Sequence, residues 1–174
     1  MSNKRTPLFN HHQKCGAKIV DFAGWEMPIQ YTGILAEHKS VREKVGLFDV
    51  SHMGQIKLTG HNAKHALETL VPVDIVELPL MKQRYAVFTN DNGGVLDDLM
   101  VTNIGDDSLF LVVNAACKAR DFEHLKRLVD SGCEVELLED AALLALQGPK
   151  SCEVLAKFEP FKKINYCLYK SNIN

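Results

Sequence analysis

The stretch "NGGVLDDLMV" (92–101) decides how the chain is read. It lies within "RYAVFTNDNGGVLDDLMVTNI" (84–104), two apolar runs joined by Asn, Asp and Gly residues, which is a strong hairpin signal. In its second strand Asp97 and Asp98 are adjacent. A strand sends neighbouring side chains to opposite faces, so only one of the two can comfortably meet water. A buried, unpaired carboxylate costs several kcal/mol or takes up a proton. Three readings follow: a surface pair ending a turn, one inward Asp satisfied by backbone amides, or a partly desolvated carboxylate facing a cleft. In the last case it accepts a hydrogen bond from a substrate nitrogen or acts as a base. Alternation groups Asp97 with Val95 and Leu99, and Asp98 with Leu96 and Met100. Spacing alone does not say which face is the cleft.

Working outward, "DSLFLVVNAA" (107–116) supplies a neighbouring strand and "QIKLTG" (55–60) alternates as a half-buried strand does. "HNAKHALETLV" (61–71) is a helix with Ala63, Ala66, Leu67, Leu70 and Val71 inward. "CKARDFEHLKRLVDSG" (117–132) is another, with Phe122, Leu125, Leu128 and Val129 inward and Gly132 as its cap. "TGILAEHKSVREKVG" (32–46) predicts a helix started by Thr32 and stopped by Gly46. "DFAGWEMPIQY" (21–31) reads as a loop punctuated by Gly24 and Pro28. "CEVELLE" and "ALLALQ" are further strands, a last helix runs from Gly148-Pro149 to about Phe158, and "INYCLYKSNIN" (164–174) resembles a strand that stops mid-pattern. Hairpins beside segregated helices predict an α+β fold with antiparallel sheets and flanking helices.

The chain has 174 residues, 46% of them hydrophobic and 24% charged, enough for a globular core. Its 20 basic and 22 acidic residues leave no bulk charge for a polyanion, which argues against nucleic acid as a partner. No apolar run is long enough to span a bilayer, and "MSNKRTPLFNHH" lacks the core of a secretory signal. The expected setting is therefore cytoplasmic, without a membrane. Five scattered cysteines form no C-x-x-C pair and are expected as reduced, mostly buried thiols.

In "LFDVSHMG" (47–54), Asp49, Ser51 and His52 are too crowded to converge as a catalytic triad, and no G-x-S-x-G elbow exists. A loop whose His and Asp bond locally to the backbone is the plainer expectation. Met53 could then line a pocket for a flat heteroaromatic ring. His61 and His65 stand at i, i+4 without a Glu or an evident third ligand, so a solvated helix face is favoured over a metal.

At "RTPLFNHHQKCGAKIVDFAGWEMPIQY", "LFDVSHMG", "NGGVLDDLMV", "VVNAA" and "LALQGP", in that order, the chain resembles the aminomethyltransferase of the glycine cleavage system, the T-protein. The resemblance runs from about Arg5 to the final residues and implies the N-terminal part of the folate-binding T-protein fold. It also implies transfer of a one-carbon unit from the aminomethyl-dihydrolipoyl arm of the H-protein to tetrahydrofolate, with release of ammonia and no metal. Asp98 matches the family's catalytic aspartate, facing the pterin, with Asp97 as its outward neighbour. Met53, Tyr85 and Asn114 match positions that contact folate or line its site. The implied organisation is 1–54 as the first segment of a discontinuous folate-binding domain, 55–138 as a middle α+β domain, and 139–174 as the start of the returning segment. Family members continue past "LALQGP" through a Gly-Tyr-Thr-Gly-Glu motif absent here, so a truncated chain completed by a second chain is one expectation. A non-catalytic remnant or folate/H-protein binding module is the alternative. So is the folate-binding part of a sarcosine or dimethylglycine dehydrogenase-like protein, since "FDVSHMG" is shared with some of these.

Overall fold

The computed structural model of the chain describes residues 3–158. In chain order the first elements are β1 (Lys4–Arg5), α1 (Phe9–Lys14), β2 (Lys18–Phe22), β3 (Trp25–Gln30), α2 (Ile34–Glu43) and β4 (Gly46–Asp49). Next come β5 (Gly54–Thr59), α3 (Ala63–Glu68), β6 (Gln83–Thr89), β7 (Val95–Gly105), β8 (Ser108–Val113), α4 (Lys118–Lys126) and β9 (Glu134–Leu137). β10 (Leu144–Gln147) and α5 (Ser151–Leu155) complete the described chain. The strand expected over 164–174, and Cys167, lie outside the described residues. The chain divides into two compact units, one drawn from 1–50 and 144–174, the other spanning 51–143.

The second unit is built on a five-stranded sheet of order β6-β7-β8-β5-β9, antiparallel at every pairing. Its register sorts the side chains into two sets. Ile56 and Leu58, Ala86 and Phe88, Leu99 and Val101, and Leu109, Leu111 and Val113 are all buried on one face. Against them pack Ala63, Ala66 and Leu67 of α3 and Leu125 of α4, so both helices cover the same side. Burying this apolar set is the main source of the unit's stability, at roughly 25 cal/mol per Å² removed from water. The inward stripe expected of 61–71 holds at all five positions. That of 117–132 holds at Leu125 and Leu128, while Val129 is 51% exposed. A 3-10 turn over Val129–Ser131 ends the α-helical phase there, and Gly132 closes it in the left-handed conformation at φ 79°. The expected α+β class with antiparallel sheets is the one observed.

The first unit carries a three-stranded sheet, β1-β3-β2, and the antiparallel pair β10-β4. Here the 21–31 loop expected from the sequence is corrected to a hairpin. Ala23 and Gly24 both take positive φ, 51° and 79°, making the tight turn between β2 and β3. Pro28 is tolerated because it lies opposite Ile19 at a register shift, and β1 pairs with β3 only at Trp25 and Glu26. Thr32 does not cap α2. Instead the Glu37 carboxylate accepts the backbone N–H groups of Tyr31, Thr32 and Gly33, at 2.7, 2.7 and 3.0 Å. These bonds, Gly33's foremost, hold its pKa below the usual glutamate range. Of the four described cysteines only Cys133 is buried, and all four are free thiols. Among the described residues no helix is long and apolar enough to cross a membrane.

Gly148, at φ +123°, begins the turn into α5, where a Cβ would stand 2.6 Å from the Lys44 carbonyl oxygen and 2.7 Å from that of Val41. Gly148→Ala should destabilise this unit by about 1–3 kcal/mol, because backbone cannot give way as a flexible side chain can. Urea unfolding followed by fluorescence of Trp25, the single tryptophan, reads the shift. An unchanged midpoint would contradict the close packing described.

Candidate functional site

Tyr85 and Asp98 share the sheet face opposite the one that α3 and α4 pack on, while Met53 and Asn114 stand just outside the strand ends, before β5 and after β8. The register sets which residues meet at this end of the sheet. Leu99 pairs with Val113, and Val113 with Gly54, all on the helix-covered side. One residue further along β7, alternation turns Asp98 to the other side, where it pairs with Val87; Asn114 and Met53 are the next residues beyond the paired ends Val113 and Gly54. Tyr85, opposite Met100, is in the adjacent row on that face, and its hydroxyl donates to the Asp98 carboxylate. This bond, with some burial, raises the Tyr85 pKa above the ordinary phenol value. Asp98 therefore does not project freely into solvent.

The Asn114 amide joins the two carboxylates. Its Nδ2 donates to Asp98 Oδ1 at 2.8 Å and to Asp97 Oδ1 at 3.0 Å. Two N–H bonds are all that an amide nitrogen has, so both are committed here. The expectation that Asp97 is an outward neighbour is corrected. Its side chain is only 12% exposed, on the same face as Leu99 and Val101 and against the start of α4. There it meets Cys117 and Asp121, one donor atom of each of the three lying within 4.8 Å of the others. Burial works to raise the Asp97 pKa, but hydrogen bonds from Asp121, Asn114, Cys117 and the Asp98 backbone bring it below the usual range. Asp121, whose side chain is 2% exposed, is pushed up to about 7 by desolvation first and by Asp97 second. Arg120 spans the group from its rim, with Nε 3.4 Å from Asp121 Oδ1. A hydrogen bond from its Nη2 to the Leu96 carbonyl, at 2.8 Å, fixes it there.

Asp121 was missed in the sequence although a signal existed. It precedes Leu125 by four residues and Leu128 by seven, on the buried stripe of α4. The local-bonding expectation for "LFDVSHMG" is also corrected. Asp49 reaches back to His12, Oδ2 to Nε2 2.8 Å, and His12 Nδ1 is 2.8 Å from the Tyr31 hydroxyl. Ser51 accepts the Leu143 N–H at 3.0 Å and donates to its carbonyl at 3.3 Å, serving as a staple between distant segments. No hydrolase arrangement results. His61 is exposed and lies 3.3 Å from Asp107. A cleft of about 290 Å³ in the first unit is lined by Tyr31, Glu37, Phe48 and Asp49 among others, and by none of the four residues named above.

A helix-backed antiparallel sheet with an acid–amide group at its strand ends defines the class: an α+β domain whose polar site is carried by those ends. The chain belongs to the family described as the GCVT N-terminal domain, which it matches over residues 8–170. It is 47% identical over 167 residues to an aminomethyltransferase of Chloroherpeton thalassium, covering 94% of this chain and 46% of that protein. It is 43% identical over 174 residues to one of Thermotoga maritima, covering 98% and 48%, and 43% identical over 164 residues to a mitochondrial aminomethyltransferase of Dictyostelium discoideum, covering 89% and 40%. Among solved structures it resembles the glycine cleavage system aminomethyltransferase T from Bartonella henselae, with a TM-score of 0.85 and 43% identity. That match covers 90% of this chain and 44% of that one. The chain thus spans less than half the length of the relatives it matches.

Two outcomes test the geometry. Replacing Asp98 by Asn should lower the Tyr85 titration midpoint toward that of an ordinary phenol, read by ring-carbon NMR; an unmoved midpoint would break the Tyr85–Asp98 bond. Because Asp121 binds its proton more tightly folded than unfolded, its stabilising effect is full below about pH 4 and is lost as pH rises to about 7. Asp121→Asn should remove that part of the slope, making the variant gain on the parent with rising pH through this window in urea unfolding followed by circular dichroism.

Proposed function

We propose that this chain forms the part of a tetrahydrofolate-dependent aminomethyltransferase that holds the pterin end of the folate, with Asp98 as its catalytic carboxylate. The observation that carries the reading is the hydrogen-bonded gathering of Tyr85 and Asn114 on the Asp98 carboxylate, in a member of this family. The donor is the aminomethyl group on the dihydrolipoyl arm of an H-protein, the acceptor is tetrahydrofolate, and the proposed compartment is the cytoplasm. The discontinuous first unit is proposed as the beginning of the folate-binding domain of the longer relatives.

Asp98 is suited to its role by being held, among the described residues, by neutral donors and by no cation. The Tyr85 hydroxyl and the Asn114 amide fix its carboxylate by hydrogen bonds and leave acceptor capacity for a folate N–H. Orienting that nitrogen toward the aminomethyl carbon, and stabilising the positive charge that develops as ammonia departs, are the two contributions expected of it. Met53 offers a polarizable thioether to the flat ring system. A piece that binds folate or the H-protein without turnover is the alternative.

The test is ammonia release from aminomethyl-loaded H-protein with tetrahydrofolate, using this chain fused to the remaining part of the Thermotoga maritima relative. Asp98→Asn should lower turnover by orders of magnitude, about 100-fold or more, with folate affinity changed less. Full activity in that variant would remove Asp98 from the chemistry, and absence of turnover in the parent fusion, with folate still bound, would favour the binding module.

A further inference from the structure

On the helix-covered side of the sheet, two carboxylates stand where one would be expected. Asp97 comes from β7 and Asp121 from α4, with the Cys117 thiol completing the group. Each carboxylate leaves its Oδ2 buried with no hydrogen-bond partner among the described residues. The titratable and charged groups facing Asp121 are Asp97 from the sheet and Cys117 and Arg120 from its own helix end. Arg120, half exposed, stands 3.4 Å from Asp121 and 4.0 Å from Asp97 Oδ2. One rim cation cannot keep two buried carboxylates ionised at this separation, whereas a single shared proton removes the repulsion and gives the orphaned oxygens a bond.

The proton belongs on Asp121. The Asn114 amide donates to Asp97 and helps stabilise its anion, while Asp121 is the more completely buried of the two. The consequence reaches the proposed site, because the nitrogen that donates to Asp97 is the one that donates to Asp98. We infer that Asp121 is a positioning residue: by sharing a proton with Asp97 it anchors that carboxylate beneath Asn114, and Asn114 in turn holds Asp98 in place. This inference rests on the proposed role of Asp98, but the chain Asp121–Asp97–Asn114–Asp98 stands independently of any turnover. Ionising Asp121 puts a second negative charge beside Asp97, pushes the pair apart and releases the amide.

Side-chain NMR of the 174-residue chain tests the relay without substrate. The Asn114 amide NH₂ resonances should titrate together with the Asp121 carboxyl carbon, at about pH 7. Asp121→Asn, which keeps a donor and cannot ionise, should hold those resonances flat over the same range near their low-pH position. Asp121→Leu, which has no donor, should displace the Asn114 and Asp98 resonances at every pH. In a tetrahydrofolate titration Asp121→Asn should match the parent, while Asp121→Leu should bind about tenfold more weakly. Parent Asn114 resonances that do not move with pH would overturn the inference. So would Asn114 shifts unchanged in Asp121→Leu, or stoichiometric Zn²⁺ or Mg²⁺ binding that moves Asp97, Cys117 and Asp121 together, which would make the cluster a cation site. Should the Leu variant not fold, the parent and Asp121→Asn titrations decide by themselves. If the NMR relay is present but no folate binds the parent, the failure lies with the proposed function rather than with the relay.

Discussion

One amide nitrogen reconciles two adjacent carboxylates that a β-strand must send to opposite faces. Asn114 lies just beyond the end of β8, and its Nδ2 reaches Asp98 on one face and Asp97 on the helix-covered face. Neither acid is buried without a donor, and neither is free to swing. The arrangement needs a sheet edge, because in mid-strand a side chain could not straddle both faces. This requirement is why the site is found at the strand ends.

The rest of the second unit serves that edge. α3 and α4 pack on one face, which helps to fix the register, since a one-residue slip would turn this buried apolar set to the other side of the sheet. Gly54 sits in the row next to the site. A Cβ there would come within 2.5 Å of Val113 Cγ2 and 3.1 Å of Lys118 Cγ, so a glycine lets β5, β8 and the start of α4 close together. Closing α4 down is what brings Cys117 and Asp121 against Asp97.

The first unit solves its polar problem differently. Asp49, whose side chain is fully buried, meets His12 across 37 residues of sequence, with the Tyr31 hydroxyl at the far side of the ring. Removing one member of a buried ionisable pair is far more damaging than never having built it, so such contacts tie α1, the β3–α2 connection and β4 together. Exposed Ile34, Leu35, Leu47 and Phe48 are a further trait of this unit. α2 buries none of its residues, so its apolar spacing contributes nothing to the described core.

Periodicity was enough to determine the hairpin around "NDNGG", the alternation of β5 and the inward stripe of 61–71. In each of these, apolar spacing and burial are one physical fact expressed in one dimension. The motifs in their order were enough to carry the family. Only the tertiary structure decided that Asp97 turns inward, that Asp121 is its neighbour, and that Asp49 belongs with His12. A carboxylate's state depends on the donors and charges around it, and those arrive from residues 17, 24 or 37 positions away. Hydrophobic pattern is local and periodic and so survives in the sequence; electrostatic partnership is set by distance in space, and comes into being only when the chain has folded.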